Sequence, residues 1–155
     1  HTMLTGVSIS NGIVWTADHK TMYYSDTTPG TVTAFDYDNV TGNISHSRVA
    51  IQVPQEMGLP DGMAIDSEGM LWIAHFGGGA VRRWNPDTSE VMETIEVPAT
   101  DPTACAFGGE NLDELYITTA RTGLTEEQLH REPHSGGLFR VKPGSVGTLT
   151  YRFKG

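Results

Sequence analysis

Short runs of aromatic and aliphatic residues are separated by clusters of polar turn formers along the chain. The apolar runs occupy residues 22–26, 71–75 and 115–119. Aromatic and β-branched side chains fit a pleated, half-buried surface, so each run predicts a β-strand. The polar clusters occupy residues 16–20, 66–69 and 108–111. Their Asn, Asp and Gly residues tolerate the left-handed conformations of tight turns, so the pattern predicts strands joined by short turns.

One series of landmarks occurs three times in the chain. Each copy opens with a short apolar run, continues with a strand and ends with a glycine-led run. The copies open at Asn11, Asp61 and Thr103, so their starts lie 50 and 42 residues apart. The strands are centred on residues 23–24, 71–72 and 115–116, and the glycine-led runs occupy residues 30–36, 79–85 and 137–142. Three landmarks in the same order indicate an internal repeat.

A fourth strand is predicted in the first two copies, at residues 47–53 and 91–97. Four short antiparallel strands in about 45 residues are typical of a β-propeller blade. We therefore predict an all-β fold with blades at residues 11–60, 61–102 and 103–155, preceded by the last strand of another blade at residues 2–10. One surface helix is predicted over residues 125–131, with Thr125 as its N-cap and Pro133 beyond its end.

Three blades do not close a ring, because propellers have about 4 to 8 blades. The chain is therefore predicted to be a half-propeller, three of six four-stranded blades in one partial domain of residues 1–155. A missing N-terminal half, or a second copy of the chain, would complete the ring. An exposed strand-rich surface favours association, so we expect a species larger than a lone 16.8 kDa monomer.

Composition narrows the classes of function. The 155 residues carry a net charge of −9, from 19 acidic and 10 basic side chains, and no Lys/Arg cluster, which disfavours nucleic-acid binding. The apolar runs are too short for a membrane-spanning helix. Cys105 is the single cysteine, which excludes an internal disulfide and a multi-cysteine zinc site. The first residues do not resemble a leader peptide, and we expect a cytoplasmic protein.

Oxygen-bearing side chains recur at the start of each copy. Asn11, Asp61 and Thr103 occupy the equivalent position on the innermost strand of each predicted blade, where the strand faces the central channel. A ring of oxygen donors at a channel mouth suits a hard cation such as Ca²⁺, Mg²⁺ or Mn²⁺. The same residues also open strands simply as turn formers. The spacing alone leaves both interpretations open.

The joint order of motifs resembles the regucalcin/senescence marker protein/gluconolactonase family. The motifs that carry this resemblance are Ser10-Asn11-Gly12, Ala34-Phe35-Asp36, Leu59-Pro60-Asp61-Gly62-Met63, Leu71-Trp72, Gly77-Gly78-Gly79, Cys105 to Gly109, Tyr116 to Arg121 and Gly136 to Arg140. They extend over essentially the whole chain and match the C-terminal half of the family's length.

The resemblance implies a six-bladed propeller that holds one divalent cation, Ca²⁺, Zn²⁺, Mn²⁺ or Mg²⁺, in its channel. Asn11 and Asp61 fall on two of the family's metal ligands, and Asp61 also falls on its proposed general base for lactone hydrolysis. The third protein ligand, an N-terminal Glu, and the substrate-orienting Arg and Asn residues have no counterpart in this chain. The resemblance therefore predicts activity for the complete protein and makes no prediction for this chain alone.

Four further residues are weaker candidates. His75 ends a predicted strand near the channel and is a candidate substrate contact. Cys105 is either a nucleophile or, with its apolar neighbours, a small buried hydrophobe, and the second interpretation is favoured. His130 and His134 are four residues apart, but Pro133 breaks the helix that would align them, so no zinc site is predicted.

The sequence as a whole favours a divalent-metal-dependent hydrolase of sugar lactones, of which this chain is the C-terminal half. The expected partner is a small-molecule lactone, with no role for nucleic acid or membrane. Two alternatives stay open: a calcium-binding regulatory protein without required catalysis, and a propeller that serves as an interaction scaffold. The first predicts Ca²⁺ binding without lactone turnover, and the second predicts an empty channel beside an apolar patch.

Overall fold

A computed structural model describes residues 1–150 of the chain as three antiparallel β-sheets in succession. The end of the predicted third blade, residues 151–155, lies outside the described residues. In each sheet the strands pair in chain order, so each strand is hydrogen-bonded to its neighbour in sequence. The structure therefore confirms the predicted all-β class with antiparallel sheets.

The first sheet holds four strands. They are β1 (Ser10–Trp15), β2 (Thr21–Asp26), β3 (Thr31–Tyr37) and β4 (Ile44–Gln52). Val14 of β1 lies opposite Tyr23 of β2, and Tyr23 points into the interior. The outermost strand, β4, is mostly exposed, as expected for the edge of a sheet with one covered side.

The second sheet repeats this arrangement. A short 3₁₀ turn at Gln55–Met57 leads into it, and its strands are β5 (Leu59–Ile65), β6 (Leu71–Phe76), β7 (Ala80–Asn85) and β8 (Glu90–Glu96). Every residue of β6 from Leu71 to His75 is buried, because other sheets cover both of its faces. A strand buried on both faces reads as a continuous apolar run, as this one does.

The third sheet has three strands among the described residues. They are β9 (Pro102–Gly108), β10 (Glu114–Thr119) and β11 (Leu138–Val141). A fourth strand, located by the sequence only in the first two copies, is not present in this sheet within residues 1–150. Gly147 instead donates a backbone hydrogen bond to Leu112, and Val146 accepts one from Ser67 below the second sheet.

One helix, α1 (Glu126–Arg131), lies between β10 and β11. Its N-cap is Thr125, whose hydroxyl accepts from the Gln128 N–H while the Gln128 side chain accepts from the Thr125 N–H. This capping box was predicted from the sequence and satisfies two backbone donors at the start of the helix. Within residues 1–150, no helix has the length and apolar character needed to cross a membrane.

The N-terminal segment differs from its prediction. Residues 2–9 form no strand, although a strand over residues 2–10 was predicted. The Ser8 and Ile9 N–H groups donate to the Asp26 carboxylate at 3.1 and 2.9 Å, and the Ile9 carbonyl accepts from Thr27. The segment is thus tied to the end of β2 by a side chain, without a neighbouring strand to pair with.

Two apolar clusters hold the sheets together. The first, between sheets one and two, contains Tyr23, Val32, Ala34, Ile51, Val53, Met63, Ile65, Leu71, Ile73 and Trp84. The second, between sheets two and three, contains Trp72, Ala74, Val81, Val97, Ala99, Cys105, Leu115 and Ile117. Each sheet therefore packs face to face on the next one in the chain.

The innermost strands β1, β5 and β9 approach each other very closely. A methyl carbon placed on Gly12 would lie 2.7 Å from the Asp61 carbonyl oxygen, and one on Gly62 would lie 2.9 Å from the Thr103 carbonyl oxygen. Contacts this short are closer than van der Waals packing permits, so only glycine allows the strands to meet here. The glycines after Asn11 and Asp61 thus set the spacing of the candidate ligands.

Candidate metal centre

The three recurring oxygen-bearing residues lie at the same end of three adjacent strands. Asn11 is the second residue of β1, Asp61 the third of β5 and Thr103 the second of β9. The ladder register shifts between Ser10 and Ile13, and again between Pro60 and Met63. Such irregularities release a residue from regular pairing and redirect its side chain. Asn11 and Asp61 both sit within them.

The side chains of Asn11 and Asp61 meet. The Asn11 side chain lies near enough to the Asp61 carboxyl to lower its pKa, and both residues are partly buried. The amide nitrogen of Asn11 donates to the Thr27 hydroxyl at 3.1 Å. Because the bond to Thr27 engages the nitrogen of the amide, its oxygen is the atom left to face a cation.

Burial raises the pKa of the Asp61 carboxyl above its ordinary value, while hydrogen bonds from Asn11 and from the Gly62 N–H act in the opposite direction. The ionised carboxylate is therefore less favourable here than in water. A cation beside it would compensate for the lost hydration. This is the electrostatic environment that a metal ligand has before its metal binds.

Thr103 brings a third oxygen to the neighbouring strand. Its hydroxyl hydrogen-bonds the Thr118 hydroxyl at 2.7 Å, on the exposed face of the third sheet. A neutral hydroxyl is a weaker ligand than a carboxylate or an amide carbonyl for hard cations. Asn11 and Asp61 are thus the stronger donors among the three.

The residues present fit a hard cation as two of its ligands. Both donate oxygen, and Ca²⁺, Mg²⁺ and Mn²⁺ take carboxylate and amide oxygens. Across residues 1–150, no group of three His, Cys, Asp or Glu side chains lies close enough together to hold a metal ion. The donor set in this part of the chain is therefore a partial one, as the resemblance implied.

His75 lies opposite Pro60, next to Asp61 in the sheet, but its ring is bonded to other residues. Its side chain has no exposed surface, its Nδ1–H donates to the Met57 carbonyl at 3.0 Å, and its Nε2 accepts from the Trp84 indole at 3.1 Å. Both ring nitrogens are therefore engaged inside the protein. This geometry leaves neither ring nitrogen for the predicted contact with a substrate.

Neither Cys105 nor the histidines at 130 and 134 belong to a catalytic or metal-binding group among residues 1–150. Cys105 is buried, its thiol donates to the Trp72 carbonyl at 3.1 Å, and burial raises its pKa to about 12. That agrees with a small buried hydrophobe and excludes a thiolate nucleophile at neutral pH. His130 lies in α1 and His134 beyond its end, both exposed, and they belong to no metal-binding group of the described residues.

Two contacts of the ligand residues were missed by the sequence analysis. Ser25 and Thr27, at the end of β2, hydrogen-bond the Asp61 backbone and the Asn11 side chain. Ser25 was interpreted only as part of a strand. The sequence gives one indication of this role: Ser25 carries a hydroxyl at a buried strand position where the second sheet has Ala74.

Comparison with known proteins places the chain among relatives about twice its length. A family model described as SMP-30/Gluconolactonase/LRE-like region matches residues 1–121. Human regucalcin is 44% identical over 150 residues, which are 96% of this chain and 50% of that protein. The chain thus spans about half the length of the curated relatives it matches.

Solved structures agree in fold. A calcium-binding protein, regucalcin, from Agrobacterium tumefaciens superposes with a TM-score of 0.90 at 30% identity, covering 97% of this chain and 52% of that one. A gluconolactonase from Xanthomonas campestris superposes with a TM-score of 0.61 at 30% identity, covering 74% of this chain and 36% of that one.

Proposed function

Because the chain belongs to the SMP-30/gluconolactonase/LRE-like family, we propose that it supplies the Asn11 and Asp61 ligands of a divalent-metal-dependent hydrolase of sugar lactones. The observation that carries the proposal is the close approach of the two strands at these residues, where a methyl carbon on Gly12 would lie 2.7 Å from the Asp61 carbonyl oxygen. The gluconolactonase and regucalcin relatives support the lactone and the cation, respectively.

We also propose that the three sheets are three blades of a six-bladed propeller. The regucalcin structure that superposes on this chain is about twice as long, so as many blades again belong to the complete molecule. They come from the remainder of a longer protein or from a second copy of this chain. Either source would add ligands to the two that Asn11 and Asp61 provide.

Asn11 and Asp61 would hold the cation through the amide oxygen and the carboxylate. When bound, the cation supplies Lewis-acid polarisation of the lactone carbonyl and makes a water molecule easier to ionise. Asn11 fixes the position of Asp61 through the contact between their side chains. Gly12 allows β1 and β5 to approach closely enough for this contact.

Asp61 accepts the proton of the attacking water. The water oxygen bonds to the carbonyl carbon, the ring carbon–oxygen bond breaks, and the proton passes to the departing ring oxygen, so that lactone and water give a hydroxy acid. Partial burial raises the pKa of Asp61, which makes its carboxylate a stronger base than a solvated one. A bound cation opposes this effect, so the ionisation of water must carry part of the chemistry.

The second candidate is a calcium-binding regulatory protein without required catalysis. It is supported by the regucalcin of Agrobacterium tumefaciens, described as a calcium-binding protein. The two candidates share the cation and differ in turnover. The regulatory protein would prefer Ca²⁺ and leave a lactone intact, whereas the hydrolase would be activated by several divalent ions.

Cation binding and lactone hydrolysis, measured on the same preparation, test the proposal. Calorimetric titration with CaCl₂ and MnCl₂ is followed by an assay with glucono-δ-lactone, and light scattering records the mass of the species assayed. Binding with turnover that Asp61→Ala abolishes supports the hydrolase, while exposed Asp87→Ala is the control and should leave both unchanged. Binding without turnover supports the regulatory candidate, and turnover that survives Asp61→Ala contradicts the assigned role of Asp61.

A further inference from the structure

The hydroxyl of Ser25 joins the two strands that carry the candidate ligands. Ser25 lies near the end of β2 with no exposed surface. Its hydroxyl donates to the carbonyl oxygen of Asp61 at 2.9 Å and lies 3.4 Å from that of Gly12, the residue after Asn11. One buried side chain thus contacts the backbone beside both ligands.

Thr27, two residues further on, holds the other ligand by its side chain. Its hydroxyl accepts the hydrogen bond from the Asn11 amide nitrogen at 3.1 Å, and its residue is only 6% exposed. The Thr27 backbone is itself fixed, because its N–H donates to Ile9 and its carbonyl accepts from Gly30. A fixed acceptor on the nitrogen side of an amide determines where the oxygen side points.

We propose that Ser25 and Thr27 are positioning residues that orient Asp61 and Asn11 for a divalent cation. The inference rests on the proposed function, since it takes these two residues as cation ligands. Thr27 turns the amide oxygen of Asn11 toward the cation, and Ser25 fixes the Asp61 backbone against the strand that carries Asn11. Neither hydroxyl touches the cation itself.

The repeat argues that the Ser25 hydroxyl is not needed merely to pack two sheets. Ser25 lies across from the irregular pairing of β1, and Ala74 holds the same register in the second sheet, across from Asp61 and Gly62. Ala74 is fully buried and packs on the third sheet without any hydroxyl. Between the first and second sheets, whose strands carry Asn11 and Asp61, this position has a hydroxyl that joins the two strands, and between the second and third sheets it has none. Thr118 holds the position in the third sheet, where its hydroxyl bonds the Thr103 hydroxyl within the same sheet.

Cation affinity of single variants tests the inference. Calorimetric titration with MnCl₂ and CaCl₂ on the whole chain compares wild type with Ser25→Ala and Thr27→Val, and the melting temperature without added cation is recorded for each. Loss of a residue that orients a ligand lowers metal affinity by about 10- to 100-fold. We expect a loss in this range for both variants, and affinity near the wild-type value for Thr27→Ser, which keeps the acceptor.

Matched controls separate positioning from stability. Thr16→Val removes a hydroxyl of the same sheet at the opposite end of β1, and Ser135→Ala removes a buried serine hydroxyl that bonds Glu132 near α1. Both should lower the melting temperature without changing affinity. If control and test variants with the same melting temperature lose the same affinity for the cation, Ser25 and Thr27 have only a structural role. That result would overturn the inference.

Variants of the ligands separate the two proposals. If Asn11→Ala and Asp61→Ala keep wild-type affinity, the proposed metal site fails and the inference with it. If those two lose affinity while Ser25→Ala and Thr27→Val remain within about 2-fold of wild type, well below the expected loss, the inference alone fails. Should Thr27→Val not fold, as judged by circular dichroism, Thr27→Ala and Ser25→Ala decide the question by the same criterion.

Discussion

The imidazole of His75 and the indole of Trp84 lie edge to edge with nearly parallel ring planes, joined by a hydrogen bond. Their ring centroids lie 5.8 Å apart with 4° between the planes, and the indole N–H donates to Nε2 of His75 at 3.1 Å. The opposite ring nitrogen donates to the Met57 carbonyl. The neutral ring with its proton on Nδ1 satisfies every partner, so the protein selects this tautomer.

Stability should therefore fall as the pH is lowered through the titration of His75. Burial, and next the charge of Arg82, lower the pKa of His75 from 6.5 to about 4, although the Met57 carbonyl acts to raise it. Above pH 6.5 folded and unfolded chains are both neutral at this residue. Between pH 6.5 and 4 only the unfolded chain binds the proton, which costs about 3 kcal/mol of unfolding free energy once complete.

Urea unfolding at a series of pH values measures this loss. His75→Phe keeps a flat ring beside Trp84 but cannot be protonated, so its unfolding free energy should change less between pH 6.5 and 4. Exposed His130→Gln is the control and should retain the wild-type slope. A His75→Phe chain with the same pH dependence as wild type would contradict the assignment to His75.

The Asp66 carboxylate is the most heavily bonded charge in the part of the chain that the structure describes. One oxygen accepts from the Glu68 and Met70 N–H groups, and the other accepts from the Trp72 indole and from Arg83 at 2.7 Å. Asp66→Asn would turn an NH₂ group toward two of these donors and leave Arg83 with only the exposed Glu68 carboxylate as an ion-pair partner. Removing one partner of a buried ion pair costs about 3–5 kcal/mol.

Chemical denaturation of Asp66→Asn beside Asp36→Asn checks that estimate. Asp36 pairs with Arg48 at the exposed edge of the first sheet, with both side chains about half exposed. Loss of such a surface pair costs at most about 1 kcal/mol. If both variants lose a similar unfolding free energy, the buried Asp66 stabilises the fold no more than a surface carboxylate does, which would contradict the prediction.

Much of the fold follows from local patterns. The strand runs around Tyr23, Leu71 and Leu115 were predicted because each run is apolar enough to show a strand without its neighbours. The capped helix was predicted from Thr125 and Gln128, since a capping box lies within four residues. By contrast, residues 2–9 were assigned a strand, and pairing of that kind depends on a partner that sequence periodicity does not reveal.

The sequence predicted only those residues of the candidate site that occupy equivalent positions in the repeat. Asn11 and Asp61 were found because they start equivalent strands. The roles of Ser25 and His75 depend on which way a side chain points at the end of a strand, and on what lies beyond it. Those contacts span 36 residues for Ser25 and 18 for the His75–Met57 pair, too far for local pattern to show them.

Gly62→Ala should destabilise the chain. A methyl group there would lie 2.6 Å from the Ala104 side chain and 2.9 Å from the Thr103 carbonyl oxygen, so β5 and β9 would have to move apart. Overpacking of this kind costs about 1–3 kcal/mol. Thermal unfolding of Gly62→Ala measures the loss.

A second substitution tests the mechanism of that loss. In an Ala104→Gly background the methyl group that Gly62→Ala meets first is removed, so the cost of Gly62→Ala should become smaller, although the backbone contacts keep it above zero. A cost that is unchanged in this background would show that the two positions are not coupled, contrary to the packing described for these strands.

The thiol of Cys105 should be unreactive in the folded chain. It is buried, and burial raises its pKa to about 12, so almost no thiolate exists at pH 8. A disulfide exchange reagent such as dithionitrobenzoate should react slowly with the native protein. It should react rapidly in about 6 M guanidinium chloride, which unfolds all but hyperstable proteins. Rapid reaction of the native chain would require an opening at this position.

Asp61→Asn should make the cation-free chain more stable and insensitive to added cation. Burial raises the pKa of Asp61, so above that pKa the folded state carries a charge in an environment that disfavours it, and a neutral amide of the same shape removes this cost. A carboxylate that lowers the stability of the folded chain is typical of a functional site. The melting temperature of wild type should rise on addition of MnCl₂ because binding stabilises only the folded state, whereas that of Asp61→Asn should rise little.

Asp87→Asn, exposed in a turn, should behave like wild type in both respects. If Asp61→Asn instead lowers the melting temperature without cation and still responds to MnCl₂, Asp61 is a structural carboxylate and the metal centre lies elsewhere.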